Sequence, residues 1–473
     1  MESEDMKYED MLRPVQHQLD TAGTVYIAKN VVYRKISPDY KEAALRLFNS
    51  GLFKELVARR LFPKTQVNQE ALARGELVLE HERAPFLLNA WEWSFSMLKD
   101  AALTILSVAE LCEKNGYHMQ DSHVFNVMFF SGRPMFVDFG SIREGAVPGG
   151  LPQKEFFRYA YVPLQLWSKG DFYLATRLLQ DNVPMRLQPF VQVDQTPFFQ
   201  RHAQPFIRRH DVGFALKTLA NMVLWQIPGT RKHLLDVSDY GKFRFGVREM
   251  SERIRTLLPP SGKTEWKTYH DSHFQSDSVT PRFRRIVEIL AKYEWKKAVD
   301  VAGNGGYVTE LLVRHFPGAL FLCLDYDSQA VDQAYRRFGE SEELVRRATV
   351  GMVNVMHPEG TSLRLEDRIK SDLVLALAVT HHLILRQKAN IDLILKSFCE
   401  ATNQYLAIEF MPLGLFSEQS SQPPKPVPSW YCPEWFKGHL ESHVRILLEE
   451  QLEPNRIFYL CEKRPALEKS GSL

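Results

Sequence analysis

The segment Val299–Gly306 constrains the fold of this 473-residue chain more than any other. It reads Val-Asp-Val-Ala-Gly-Asn-Gly-Gly, so an apolar run ends in small residues, and a helical pattern begins directly after it. Glycines at a strand-to-helix turn allow a tight bend and a close approach of a ligand to the main chain. The segment therefore predicts the first strand and turn of a βαβ unit.

The rest of the second half continues this alternation of strands and helices. Short apolar runs are separated by stretches with helical spacing, and Ser328 is the expected N-cap of one of these helices. Strand–helix–strand order implies right-handed crossovers and a doubly wound parallel sheet, which makes the predicted fold class α/β and Rossmann-like. The predicted strands are Lys297–Ala302, Leu320–Leu324, the weakly alternating Thr349–Val355, Ser371–Val379 and Tyr405–Glu409, with a closing hairpin of Val444–Leu448 and Arg456–Cys461.

Asp325 follows the second predicted strand, about 20 residues beyond the glycine turn. A carboxylate at this strand end can accept hydrogen bonds from both hydroxyls of a ribose, as in a nucleoside-cofactor site at the topological switch point of a parallel sheet. From the residues alone, the alternative is a tight turn with a surface aspartate. The acid at the end of the next strand favours the cofactor site.

The order of the small residues distinguishes two classes of nucleoside site. Gly303, Gly305 and Gly306 do not fit the G-x-G-x-x-G spacing of a dinucleotide site. The segment instead resembles motif I of the class I S-adenosylmethionine (SAM) methyltransferases, usually Asp-x-Gly-x-Gly-x-Gly, with Asp300 as its acid. The three glycine positions of the motif are taken by Ala302, Asn304 and Gly306.

Two later segments carry a more specific resemblance. Leu375–Leu383 (Leu-Ala-Leu-Ala-Val-Thr-His-His-Leu) and Ala407–Pro412 (Ala-Ile-Glu-Phe-Met-Pro) are similar to a bacterial family of SAM-dependent methyltransferases, some of which are called nodulation proteins. Motif I of that family commonly reads Asp-Leu-Gly-Ala-Asn-Thr-Gly, so Asn304 matches it and Ala302 departs from it. The resemblance covers most of the chain and implies SAM as the cofactor. The cofactor contacts that it implies are Asp300, Ala302, Gly303, Asn304, Gly306, Asp325 and Asn354.

Methyl transfer from a sulfonium requires nucleophile, methyl carbon and sulfur in a line, and a way to remove the proton of the nucleophile. His381 and His382 follow the fourth strand, where an imidazole could act as a general base; alternatively one caps a helix and the other packs. Glu409 ends the fifth strand and either orients the substrate or forms structural hydrogen bonds. Asn354 ends the third strand, a position that commonly meets the adenine amino group. No metal-ligand cluster has a recognised spacing, so no metal is expected for methyl transfer.

The first half has a separate constellation of polar residues. Asp121, four intervening residues, Asn126 and then Asp-Phe-Gly at 138–140 have the spacing of a protein-kinase catalytic loop and its metal-binding strand end. In that arrangement Asp121 would be the base for a hydroxyl, while Asn126 and Asp138 would hold Mg²⁺ beside ATP. The predicted N-terminal domain is therefore α+β, mostly helical and kinase-like.

Three features argue against an active kinase. The only glycine in Thr21–Ile27 is Gly23, so no glycine-rich phosphate loop is visible; the lysine expected on the third kinase strand is ambiguous between Arg34 and Lys35; and His123 lies within the loop. The methyltransferase family has a similar stretch at this place. Two alternatives to methyl transfer remain: a kinase-like phosphotransferase, and a pseudoenzyme scaffold that binds nucleosides. A helix end, a hairpin and solvated aspartates are the structural alternative.

Composition sets broad limits on the remaining questions. The net charge of +2 gives no case for nucleic acid, and the five cysteines form no CxxC pair, which fits a reducing cytoplasm. No apolar run is long enough to span a membrane. We expect an N-terminal domain at 1–257, a linker at 258–275, a methyltransferase domain at 276–467 and a tail at 468–473. The methyl acceptor, a small molecule or a protein, is not indicated.

Overall fold

The computed structural model describes residues 22–28, 31–180, 245–261, 280–356, 363–416 and 426–464. Most of the expected linker at 258–275 and all of the expected tail at 468–473 lie outside these ranges. In the N-terminal half, strands β1 to β4 form an antiparallel sheet in the order β1-β2-β4-β3. Their bounds are β1 Gly23–Ala28, β2 Val31–Ile36, β3 Thr65–Val67 and β4 Val78–Glu82.

Helix α4 (Phe95–Lys114) forms the centre of the N-terminal half. Most of its apolar residues are buried. They are spread over more than one face of the helix, so neighbouring elements cover it on several sides. Two small antiparallel pairs, β5–β8 and β6–β7, follow it. Their bounds are β5 Tyr117–Met119, β6 Val127–Phe130, β7 Arg133–Phe136 and β8 Ile142–Glu144. The other helices here are α1 Lys41–Asn49, α2 Gly51–Ala58, α3 Gln69–Ala73, α5 Gln153–Phe156, α6 Val162–Ser168, α7 Phe172–Gln180 and α8 Val247–Thr256.

The C-terminal half contains a seven-stranded mixed sheet in the order β11-β10-β9-β12-β13-β15-β14. The first five of these strands run parallel, and β15 runs antiparallel to both of its neighbours. The order reverses between β9 and β12, which creates a crevice at the carboxyl edge of the sheet. The bounds are β9 Lys297–Val301, β10 Leu320–Asp325, β11 Ala348–Met352, β12 Ser371–Ala376, β13 Thr402–Phe410, β14 Val444–Glu453 and β15 Arg456–Lys463.

Helices cover both faces of this sheet, which is why its central strands are continuous apolar runs. Helix α11 starts from Asp327, whose carboxylate accepts hydrogen bonds from the main-chain N–H groups of Gln329 (2.9 Å) and Ala330 (3.1 Å). The prediction of Ser328 as its N-cap was therefore wrong by one residue. The helices are α9 Pro281–Leu290, α10 Tyr307–His315, α11 Ser328–Gly339, α12 Glu342–Arg347, α13 Leu365–Arg368, α14 Ile391–Ala401 and α15 Pro433–His443.

The two halves pack against each other through polar as well as apolar contacts. Arg368 forms a buried, bidentate ion pair with Glu92, at 2.6 and 2.7 Å. The main-chain N–H of Ser96, in α4, donates to the Asp332 carboxylate of α11 at 2.7 Å. Helix α11 directly follows the strand that ends in Asp325. The N-terminal half therefore supports the helix that follows the predicted cofactor acid.

Candidate functional site

The loop between β9 and α10 has three residues in the left-handed region of backbone conformation. Ala302, Asn304 and Gly306 all have positive φ, at 58°, 49° and 74°. These are the three positions at which the methyltransferase motif usually has glycine, because a side chain costs about 1–2 kcal/mol in the left-handed region. Asparagine tolerates this conformation better than most residues, whereas alanine does not. Positive φ thus occurs at each of these three positions, including the two that lack glycine.

Gly303 and Gly306 also seat this loop against the sheet. A Cβ on Gly303 would lie 2.6 Å from Sγ of Cys323 and 2.7 Å from Oδ2 of Asp300. A Cβ on Gly306 would lie 2.6 Å from the ring of Phe338 in α11. Glycine is therefore required here by packing inside the domain, in addition to the approach of a ligand that the sequence suggested.

Asp325 lies beside this loop at the end of β10 and is only 6% exposed. Its Oδ2 accepts a hydrogen bond from the main-chain N–H of Asn304 at 3.0 Å, and its Oδ1 accepts one from Asp327 at 2.9 Å. Burial raises the pKa of this carboxyl to about 6. The carboxylate is thus held against the loop and is not turned toward bulk water.

Asp300 is the second acid of the crevice and is 3% exposed. The Thr309 hydroxyl donates to its Oδ2 at 2.8 Å. Burial, with the charge of Asp325 as a further cause, raises the pKa of Asp300 to about 7 even though the Thr309 hydrogen bond opposes this. Two buried carboxyls that share one crevice favour a cationic ligand, since a cation stabilises their ionised forms.

Asn354 lies two residues beyond β11 at the same edge of the sheet and is exposed. Its Oδ1 accepts the main-chain N–H of Met356 at 3.1 Å. The preceding residue, Val353, donates its N–H to the main-chain carbonyl of Asp325 at 2.8 Å. The Asn354 side chain is therefore near the Asp325 strand end, in a turn that it stabilises itself.

His381 and His382 follow β12 on the other side of the crevice, with ring centroids 4.1 Å apart. His381 is 4% exposed, and its Nδ1 is buried without a hydrogen-bond partner among the described residues. Burial, and then the proximity of His382 and Arg456, hold the pKa of His381 well below its usual 6.5. His381 is thus a neutral imidazole at pH 7 with an unused ring nitrogen.

Glu409 is fully buried near the end of β13, where its carboxylate forms a hydrogen-bonded ion pair. Arg282 donates to both carboxylate oxygens at 2.8 Å, and Arg456 lies 3.3 Å from Oε2. Oε2 also accepts the N–H of Ala378 at 3.0 Å, and Ala378 itself has a positive φ of 51°. The Glu409 carboxylate therefore fixes the backbone just before the two histidines and is occupied by protein partners.

Sequence reasoning did not find Arg282, Arg456 or Thr309. Arg282 lies in a cluster of arginines that resembles a solvated helix face, and its partner Glu409 is 127 positions away. The pair Thr280-Pro281 predicts the start of α9 from the sequence. In the structure Thr280 is the N-cap, and its hydroxyl accepts the N–H of Phe283. Nothing local in the sequence indicates which arginine of α9 turns inward.

Two of the three predicted kinase-like residues of the N-terminal half, Asn126 and Asp138, lie close together. The guanidinium of Arg34 in β2 donates to Oδ1 of Asp138 at 3.0 Å, and Nδ2 of Asn126 lies 3.4 Å from Oδ2. Lys35 instead pairs with Glu76 at 2.7 Å. The residue that faces Asp138 from the neighbouring sheet is thus an arginine. Asp121 lies in the loop that follows β5 and leads to Asn126. Its carboxylate has no hydrogen bond among the described residues.

The α/β sheet, the loop of positive-φ residues and the buried acid at the next strand end define a Rossmann-like α/β domain. No family model matches the chain. The chain is similar to nodulation protein NoeA of Rhizobium meliloti (strain 1021), with 25% identity over 340 residues that cover 67% of each chain. The resemblance to a nodulation protein that the sequence suggested is confirmed.

Solved structures show weak similarity to parts of the chain. Magnesium protoporphyrin IX methyltransferase from Synechocystis PCC 6803, with bound SAM, is 13% identical, with 43% of this chain and 100% of that chain covered and a TM-score of 0.29. The bifunctional kinase-methyltransferase WbdD is 17% identical, with 38% of this chain and 37% of that chain covered and a TM-score of 0.26. Among the described residues, no helix is both long and apolar enough to cross a membrane.

Proposed function

We propose that this protein is a SAM-dependent methyltransferase whose cofactor lies in the crevice between β9, β10 and β12. The observation that carries the proposal is the Asp325 carboxylate, which is buried and aimed at the positive-φ loop by two main-chain N–H groups. Each carboxylate oxygen retains acceptor capacity for a ribose hydroxyl after these two bonds.

The charges of the crevice support SAM over a dinucleotide. A dinucleotide places its pyrophosphate against the loop at the start of the first helix. In this protein the buried Asp300 lies directly beneath that loop, where it would repel phosphate. SAM instead carries a sulfonium and an ammonium group, and both are attracted to a carboxylate. We therefore assign the amino-acid end of SAM to the Asp300 side of the crevice and its ribose to Asp325.

The proposed reaction is an in-line displacement, with His381 or His382 as the group that accepts the proton of the acceptor. The methyl carbon moves from sulfur to the nucleophile, the sulfur keeps the electron pair of the broken bond, and the imidazole takes the proton. A neutral His381 with an unused Nδ1 is in the protonation state that this role requires. Glu409 is a positioning residue in this scheme, because its carboxylate is occupied by Arg282.

Isothermal titration of the full chain with S-adenosylhomocysteine tests the cofactor site. Two hydrogen bonds from the ribose to a charged carboxylate are worth about 1.5–3 kcal/mol each, so Asp325→Ala should weaken binding by at least about 100-fold. Asp367→Ala, which removes an exposed carboxylate from a surface pair with Arg364, is the matched control and should bind like the wild type. Absence of binding to the wild type, or equal binding by Asp325→Ala, would refute the proposal.

The acceptor can then be sought with SAM labelled at the methyl group. We expect incubation with cell extract to yield a labelled product with the wild-type protein and none with Asp325→Ala. Binding of the cofactor without any labelled product would favour the scaffold alternative, in which the chain binds nucleosides without catalysis.

Phosphoryl transfer by the N-terminal half is the weaker candidate. A kinase needs Mg²⁺ on the aspartate of its Asp-Phe-Gly segment and a lysine on the neighbouring strand for the phosphates. Here Arg34 holds Asp138 directly, so a cation already neutralises this carboxylate. Thermal stabilisation of the wild type by ATP with Mg²⁺ that is lost in Asp138→Ala would instead support phosphoryl transfer by the N-terminal half.

A further inference from the structure

Asp121, His123 and Glu155 form a second cluster in the N-terminal half, apart from the cofactor crevice. One ligand atom from each of the three side chains lies within 4.8 Å of the other two, and all three side chains are half-buried. They do not hydrogen-bond to one another in the structure. Two carboxylates and an imidazole thus lie close to one another without direct contact between them.

The loop that carries two of these residues is held firmly by its main chain. The Ser141 hydroxyl accepts the N–H of Asp121 at 2.9 Å, and the Ser122 hydroxyl donates to the carbonyl of Pro152 at 2.8 Å. The N–H of Ser122 donates to Oε2 of Glu155 at 2.5 Å, which links the loop to helix α5. The main chain that carries Asp121 and His123 is therefore held in place beside Glu155, while the side chains of Asp121 and His123 can still adjust.

Two polar groups of the cluster have unused capacity. Nδ1 of His123 is buried and has no hydrogen-bond partner among the described residues. The Asp121 carboxylate likewise accepts no hydrogen bond there, although it lies close to the Glu155 carboxylate. A buried ring nitrogen without a partner is costly, and two neighbouring carboxylates repel each other. A cation between the two carboxylates would relieve their repulsion, and a ring nitrogen of His123 lies within 4.8 Å of a ligand atom of each carboxylate.

We propose that Asp121, His123 and Glu155 bind a divalent transition-metal ion. A nitrogen ligand together with two carboxylates suits Zn²⁺ or Mn²⁺ better than Mg²⁺ or Ca²⁺, which prefer oxygen ligands. Ligand atoms around Zn²⁺ lie about 3.4 Å apart, so closure by at most about 1.4 Å from the present 4.8 Å completes the site. Three protein ligands leave at least one coordination position for water or an anionic ligand. This site differs from the Asp138 site, where Arg34 already supplies the positive charge.

Titration of the full chain with ZnCl₂ and with MnCl₂, after treatment with a chelator, tests this site. We expect the wild type to bind one ion per chain, and MgCl₂ to bind far more weakly. Asp121→Asn and His123→Gln should each weaken binding at least 10-fold. Asp121→Asn should fold normally, because its carboxylate makes no hydrogen bond. His118→Gln, in the neighbouring strand, is the matched control and should bind as the wild type does.

A second cluster that contains histidines serves to test where on the chain the metal ion binds. Asp392 accepts hydrogen bonds from His439 and His443 at 2.9 and 3.1 Å on the surface of the C-terminal half. We expect His443→Gln to leave the binding unchanged. The proposal is overturned if the wild type binds neither ion, if neither Asp121→Asn nor His123→Gln weakens binding, or if binding is lost in His443→Gln and kept in Asp121→Asn.

Discussion

Replacement of Asp300 by asparagine should stabilise the protein without its cofactor, and increasingly so as the pH rises. Asp300 is buried, and its folded-state pKa is about 7 against 3.8 in the unfolded chain. A carboxyl whose pKa is raised by folding contributes fully to stability below its unfolded pKa, and this contribution is lost as the pH rises through the folded pKa. Asparagine does not titrate, so it avoids the loss.

The magnitude follows from the two pKa values. At about 1.4 kcal/mol for each pKa unit, ionisation of Asp300 lowers the free energy of unfolding by about 4 kcal/mol at pH 8 relative to acidic solution. Between pH 5 and pH 8 the difference between Asp300→Asn and the wild type should grow by about 2.5 kcal/mol. Any constant loss from a poorer hydrogen bond to Thr309 cancels in this comparison.

Urea denaturation of the cofactor-free protein at pH 5, 6, 7 and 8 measures the effect. Asp367→Asn, an exposed aspartate with Arg364 as partner, is the control and should show no such growth. The same Asp300→Asn variant should bind SAM more weakly at pH 8, because it lacks the charge that attracts the ammonium group. A stability difference that is flat between pH 5 and pH 8, or that shrinks as the pH rises, would refute the reasoning.

Further outcomes follow from other contacts. Ala302→Gly should raise the free energy of unfolding by about 1 kcal/mol in urea denaturation, because it relieves a positive φ; a decrease would contradict this. Glu409→Gln should lower the free energy of unfolding by about 3–5 kcal/mol, because Arg282 is left buried without its counter-charge. An unchanged urea midpoint would contradict a stabilising ion pair between Glu409 and Arg282. SAM affinity, measured by titration, should fall as the pH drops through about 7 and then about 6, where Asp300 and then Asp325 become protonated, and a pH-independent affinity would argue against the role of both acids. Once an acceptor is known, His381→Asn should reduce kcat about 10²–10⁴-fold with little change in cofactor affinity, whereas an unchanged kcat would exclude it as the base.

The sheet and the glycine turn beside Asp325 were largely predictable because their signals are local. An apolar run that is buried on both faces, such as the one in β12, can be recognised in the sequence without knowledge of the strands beside it. Likewise, Asp325 was identified by its place directly after such a run, and the structure puts it at the carboxyl end of β10 beside the loop. The closing hairpin of β14 and β15 was also predicted, although both strands extend beyond the predicted bounds.

Long-range and short elements were not predictable in the same way. The pair of Arg282 and Glu409 joins residues far apart in sequence, and many arginines could have been its cationic member. Strand β3 has only three residues, too few for alternation to be recognised, so the four-stranded N-terminal sheet was not foreseen. Helix α15 was overlooked because it follows a proline-rich segment that indicates a connector.

The bidentate pair of Glu92 and Arg368 has a practical consequence for anyone who divides the chain. A fragment that starts after the N-terminal half would carry Arg368 without its carboxylate and Asp332 without the amide of Ser96. It would also expose Gly351, against which Leu88 now packs. The excised C-terminal fragment should therefore aggregate or melt early, and studies of catalysis should use the whole polypeptide.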